Sequence, residues 1–166
     1  MIKQFETDII KDLEHKKLHI TREFNAPASL VWRTWTEPEL LDKWWAPKPY
    51  KAITKSMNFK EEGFWHYYML GPEGDKHWCR FDYENIKVNH SYSGLDAFCD
   101  EEGIPNMEHP RMHWDNTFND QDGITLVNIE ITFGSVEAIE KIIEMGFKEG
   151  FTMAHGNLDE LLENLK

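Results

Sequence analysis

Cysteine is scarce in this chain: Cys79 and Cys99 are the only two, and no C-x-x-C pair exists. A disulfide framework is thereby excluded. Basic runs are missing too. Eighteen lysines and arginines stand against 30 aspartates and glutamates, and the formal charge of −12 sets the surface against phosphate backbones, so nucleic acid and anionic membrane are poor partners. No window is long and apolar enough for a membrane span, and the opening MIKQFETDIIKDLEH lacks the apolar core of a signal peptide. The expected setting is a reducing cytoplasm. The chain has no P-loop, no G-x-G-x-x-G fingerprint, no G-x-S-x-G elbow, and neither repeats nor low-complexity tracts. Metal, nucleotide and redox cofactors are therefore all expected to be absent.

What the chain does have is aromatic bulk. Aromatics make up 13% of the 166 residues, with seven tryptophans, more than packing alone demands, and such side chains bring large apolar area with few rotatable bonds. The length suits one domain, expected over residues 16–166. Residues 1–15 read as a mobile or loosely docked leader, in which Ile9, Ile10 and Leu13 are spaced for a small amphipathic helix.

Residues 21–47, TREFNAPASLVWRTWTEPELLDKWWAP, are the most informative stretch. Leu18, Ile20 and Phe24 fall on one face of an extended segment that ends near Asn25, with His19, Thr21 and Glu23 on the other. Pro27 presets φ for a first helical turn, and Leu30, Val31, Thr34 and Trp35 recur at helical spacing. Thr36-Glu37-Pro38-Glu39 has the form of a capping box before a second apolar face of Leu40, Leu41, Trp44 and Trp45. Two short helices thus follow one strand.

These residues resemble the activator of heat-shock protein ATPase homologue-like family, a branch of the START-like (SRPBCC) superfamily with the helix-grip fold. The resemblance is carried by Arg22, Phe24, Ala26-Pro27, Trp35-Thr36, Pro38-Glu39-Leu40-Leu41 and Trp44-Trp45-Ala46-Pro47. It continues through Gly63-Phe64-Trp65, Met69, Gly71-Pro72-Glu73-Gly74, Gly123-Ile124-Thr125, Gly150-Phe151 and Leu158-Asp159-Glu160-Leu161. Phe64 stands where the family commonly has a second glycine, and Phe151 where it commonly has tryptophan. The resemblance implies an α+β fold in which a curved antiparallel sheet wraps around a long C-terminal helix and encloses a ligand cavity.

The middle of the chain reads as strands. If Leu70 pairs with Lys76 across the turn Gly71-Pro72-Glu73-Gly74-Asp75, then Trp65, Tyr67 and Met69 share an inner face with His77, Cys79 and Phe81. Further strands are expected over residues 87–99, 111–118 and 125–133, with a turn at 119–123. Pairing Phe118 with Ile124 sets His113 and Asp115 beside Val127 and Ile129, whereas a bulge turns Trp114 inward. A single long helix is expected over residues 135–164, from Ile139, Ile142, Ile143, Phe147, Phe151, Ala154, Leu158, Leu161 and Leu165. Within it Gly146, Gly150 and Ala154 form a stripe almost without side chains. Each glycine costs about 1 kcal/mol against alanine in a helix interior, so the stripe suggests either close packing against a tryptophan or one wall of a cavity.

Catalytic signals are thinner. His109 and His113 are four apart, but Pro110 argues against a helix and the zincin glutamate is missing. His66, His77 and His113 on strands are read as hydrogen-bonded structural groups, and Cys79 beside His77 as packing. The expected ligand site is thus Trp65, Tyr67, Met69, His77, Cys79, Phe81, His113, Trp114, Gly146, Phe147, Gly150 and Phe151, holding a small apolar or amphipathic molecule. Two alternatives stand beside it. One is a cyclase or hydrolase with His77, His113 or Asp115 as acid or base. The other is regulation of a heat-shock chaperone ATPase, implied only by the family's name; the eukaryotic activators carry a separate amino-terminal domain where only a short leader is expected here.

Overall fold

Strict alternation makes β2 (Lys17–Phe24), in which Leu18, Ile20, Arg22 and Phe24 are all buried and the intervening residues half-buried. The computed structural model describes residues 5–166. Before β2 comes β1 (Asp8–Asp12), paired antiparallel from Asp8 with Thr21 to Asp12 with Lys17. The segment expected as a leader with a small helix is therefore an edge strand. Adjacent β-branched Ile9 and Ile10 favour the extended form, and a strand satisfies backbone groups of β2 that a docked helix would leave open. Residues 1–4 of that leader lie outside the described residues.

After β2 come α1 (Ala28–Thr36) and α2 (Pro38–Leu41). Pro27, at φ −67°, precedes α1, whose Val31, Trp32, Thr34 and Trp35 are buried. The expected capping box does not form. Thr36 still belongs to α1, where its hydroxyl donates to the Trp32 carbonyl at 2.8 Å, and Glu37 opens α2 without a side-chain cap.

The remaining strands are β3 (Lys51–Asn58), β4 (Phe64–Leu70), β5 (Lys76–Lys87), β6 (Ser91–Phe98), β7 (His113–Gln121) and β8 (Ile124–Thr132). They complete an eight-stranded antiparallel sheet in the order β1-β2-β8-β7-β6-β5-β4-β3. Strand β3, with only Ala52 buried, has too weak an alternation to stand out in the sequence. The β4–β5 hairpin has the expected register: Leu70 faces Lys76, and Trp65, Tyr67 and Met69 face Phe81, Cys79 and His77. The β7–β8 hairpin, whose parity stood open, takes neither the direct Phe118–Ile124 pairing nor a bulge. Its turn is only Asp122-Gly123, with φ of 57° and 90°, the two-residue type that Asp-Gly favours. Phe118 consequently faces Val127 rather than Ile124, and Trp114 turns inward opposite Ile131 with no bulge.

Ser135 caps α3 (Val136–Glu144), its hydroxyl accepting from the Ala138 amide at 3.1 Å. The single long helix expected here is broken. Gly146 lies at φ 94°, a left-handed conformation that L side chains adopt only at a cost, and α4 (Phe147–Leu165) starts afresh from it. Helix α4 buries Phe151, Ala154, His155, Leu158, Leu161 and Leu162 in the concave face of the sheet.

Candidate functional site

Between β4–β6, residues 109–112 and the α3–α4 break lies a cavity of about 670 Å³. Tyr67, Met69, His77 and Cys79 reach it because they occupy the inner parity of β4 and β5, and Trp114 because the tight Asp-Gly turn sets β7 in register. Gly146, Phe147, Gly150 and Phe151 close the opposite side. Nine of the twelve expected residues thus meet around one space. Trp65 and Phe81 share their face but line a neighbouring void of about 50 Å³, together with Tyr67 and Trp114.

His113 is the misplaced expectation. It lies on the outer face of β7, with Nε2 2.8 Å from Glu84 Oε1, and Asp115 beside it is exposed. The glycine stripe also changes meaning. Gly146 is a helix terminus rather than a helix interior, so the propensity argument applies to Gly150 alone. A Cβ added at Gly150 would sit 3.5 Å from Pro47 Cγ, ordinary contact, so its neighbour is a proline and not the expected tryptophan.

Other wall residues were not anticipated, Asp96 above all. It is the only charged residue of β6, it faces Phe81, and it lines both the cavity and the smaller void. Its Oδ1 accepts from the Met112 amide at 2.9 Å and its Oδ2 from Trp114 Nε1 at 2.7 Å. Burial pushes this carboxyl up to about 6, against the opposing pull of those two hydrogen bonds and of the Arg111 charge. A lone acid in an otherwise uncharged strand was the available signal. Beside it Gly94 is required by close approach: a Cβ there would fall 2.5 Å from the Phe81 ring. Trp45, from the turn after α2, donates from Nε1 to the Tyr67 hydroxyl at 2.9 Å and stands edge-on to Phe151, with ring centroids 5.9 Å apart.

The other ionisable groups are largely committed. Burial raises Tyr67 well above the ordinary phenol range and pushes the Cys79 thiol up to about 12, so neither is an anionic nucleophile near neutrality. His77 is 54% exposed and its Nε2 lies 2.7 Å from Asp75 Oδ2. Arg80 donates to Asp82 and to the Gly103 carbonyl, and Arg111 to Asp82 and to the Leu95 and Asp96 carbonyls. Burial alone would raise the Asp82 carboxyl, but the two arginines hold it below its usual range. Among the described residues no cluster of three or more His, Cys, Asp or Glu side chains could hold a metal, and no helix is long and apolar enough to cross a membrane.

A single antiparallel sheet curved around a C-terminal helix, with a cavity at their junction, defines the helix-grip class of START-like proteins. Within that class the chain belongs to the family described as Activator of Hsp90 ATPase homolog 1-like protein, whose profile matches residues 25–163. The crystal structure of protein Ms6760 from Mycobacterium smegmatis is similar, with 34% identity, TM-score 0.86, and 95% of this chain and 96% of that one covered. A solution structure of a protein from Arthrobacter aurescens has 31% identity and TM-score 0.88, covering 95% of this chain and 91% of that one. CalU16 from Micromonospora echinospora, at 14% identity and TM-score 0.58, with 94% and 84% covered, shares the fold alone. No curated protein matches the chain.

Proposed function

We propose that this protein binds a small apolar or amphipathic molecule in the cavity between the sheet and the α3–α4 break. The observation that carries the reading is the space itself: about 670 Å³, within the range of small-molecule sites, walled by Trp45, Tyr67, Trp114, Phe147 and Phe151. Space of that size beside packed aromatics costs contact energy unless something fills it. Ligand burial there contributes roughly 25 cal/mol per Å² before ordering costs. The few polar groups on the wall would supply orientation. A reducing, cytoplasmic setting fits the free thiols of Cys79 and Cys99.

The enzymatic alternative loses two of its three candidates, since His113 and Asp115 lie on the outer face. The activity in the family's name is not assigned to this chain.

The test is denaturing extraction of purified protein with mass spectrometry, followed by a thermal-shift screen of apolar and amphipathic compounds. A ligand at about a hundred times its Kd should stabilise the fold by roughly 2.7 kcal/mol. Gly150→Leu, which directs a side chain along Pro47 at the cavity wall, should fold and lose that stabilisation. A folded leucine variant that binds the same compound unchanged would remove the cavity from consideration.

A further inference from the structure

Asp96 is an unusual group to find on the wall of an aromatic cavity. Each of its oxygens accepts one hydrogen bond, from Met112 and from Trp114, although a carboxylate offers about four acceptor positions. Around it the aromatic rings converge. Trp114 is bonded to it directly, Trp45 stands 6.1 Å from Trp114 between ring centroids, and Trp45 is hydrogen-bonded to Tyr67. A carboxylate set among electron-rich rings is the arrangement that stabilises an organic cation, through charge pairing and through the ring quadrupoles.

We propose that the molecule held in the cavity is an amphipathic amine in its ammonium form, its charged end against Asp96 among Trp45, Tyr67 and Trp114 and its apolar body against Phe147, Phe151 and Met69. This deepens the cavity-binding reading and rests on it. An anionic amphiphile is disfavoured twice over. The arginines that reach the cavity, Arg80 and Arg111, are engaged by Asp82 and by backbone carbonyls, and the formal charge of −12 repels anions while concentrating cations. A neutral alcohol would satisfy one acceptor but add no charge to the carboxylate, leaving it offset only by Arg111, which is already engaged by Asp82.

Calorimetric titration with decylamine, decanol and decanoate, which share one apolar chain, separates the three chemistries. Near neutral pH decylamine should bind about tenfold or more tighter than decanol, and decanoate weakest. The amine's advantage should shrink as pH falls through about 6 and Asp96 takes up a proton, while decanol binding stays level. Other titratable groups on this wall are Tyr67 and Cys79, both held neutral, together with Tyr50, His77, His109, Glu137 and Lys141. Acidification of a rim histidine would also repel a cation, so Asp96→Asn decides the source. It should abolish both the preference and its pH dependence while keeping decanol binding, whereas a pH dependence that persists in that variant belongs to a rim histidine and overturns the role of Asp96. If Asp96→Asn does not fold, the wild-type preference for decylamine over decanol near neutral pH decides alone. Equal binding of amine and alcohol, or tightest binding of decanoate, overturns the amine assignment and leaves the cavity-binding reading standing. Failure of all three probes to bind the wild type overturns both.

Discussion

Toward its C-terminal end, α4 lays Ala154, Leu158, Leu161 and Leu162 into one buried cluster with Phe24, Trp35, Trp44 and Ile129, and the His155 ring stands against those of Phe24, Trp35 and Trp44. Toward its N-terminal end the same helix presents Phe147, Gly150 and Phe151 to a sheet just as aromatic, and about 670 Å³ stays open. Residue type therefore does not decide which side is filled. On the packed side, α1 sets Trp35 between α4 and β7, its ring centroid 6.3 Å from that of His155 and 5.7 Å from that of Phe118, while Trp32 stands 5.3 Å from Phe118. On the open side the covering element is α3, which buries only Ile139 completely and runs apart from α4 after the left-handed break at Gly146. One helix has two ends, and only one of them has a second layer to close it.

Truncation should separate the two ends most sharply. Leu158→Ala, at a fully buried position, should cost about 3 kcal/mol in urea unfolding, the transfer and cavity terms together. Phe147→Ala, beside space that already lacks partner atoms, should cost about 1 kcal/mol. Equal losses would dissolve the distinction between packed and open ends.

Acidification should separate them by sign. His155, on the packed side, has its pKa lowered by burial, and further by Arg22, to about 3 from the ordinary 6.5. Between those values the unfolded chain binds a proton that the folded one refuses, so stability falls as pH falls, by about 1.4 kcal/mol per unit. Asp96, on the open side, is raised to about 6 from 3.8, so between those values the folded chain binds the extra proton and stability rises as pH falls. From about pH 6 down to about pH 4 the two slopes oppose each other, and the wild-type stability should be nearly level. Asp96→Asn should leave the His155 slope exposed. A variant profile parallel to the wild type over that window would mean that one of the two groups is not held as described.

Smaller effects test the hinge. Gly146→Ala should destabilise by about 1 to 2 kcal/mol, because alanine must be forced to the φ of 94° that ends one helix and starts the next. Gly150→Ala, in a helix interior with room at 3.5 Å from Pro47, should instead stabilise by about 0.5 kcal/mol, read as a shift of the urea midpoint. If both substitutions cost the same, Gly150 is also held by close packing and the open end is tighter than its volume suggests.

Several parts of the fold were legible because they depend on neighbours along the chain. The period of Leu18, Ile20 and Phe24, the Pro27 helix start and the β4–β5 register each follow from local spacing, and each appears where expected. The failures were also local in kind. Asp122-Gly123 was available as a tight-turn signal, and reading a turn over 119–123 left the face of the strand before it open between His113 and Trp114. At Gly146 the helical periodicity of the apolar residues continues across the break, so spacing could not reveal it; the backbone angle does.

The sequence by itself determined the antiparallel sheet, the paired short helices, the helical C-terminal segment and the inner face of β4 and β5, because patterning and turn chemistry act within a few residues. Only the tertiary structure decided that β1 edges the sheet, that Trp45 reaches Tyr67 across the fold, and that Asp96 from β6 stands among those rings. Those relations depend on strand order and on how far α3 stands from the sheet. Both are set by the packing of elements remote in sequence, where the burial of a whole layer outweighs any local preference.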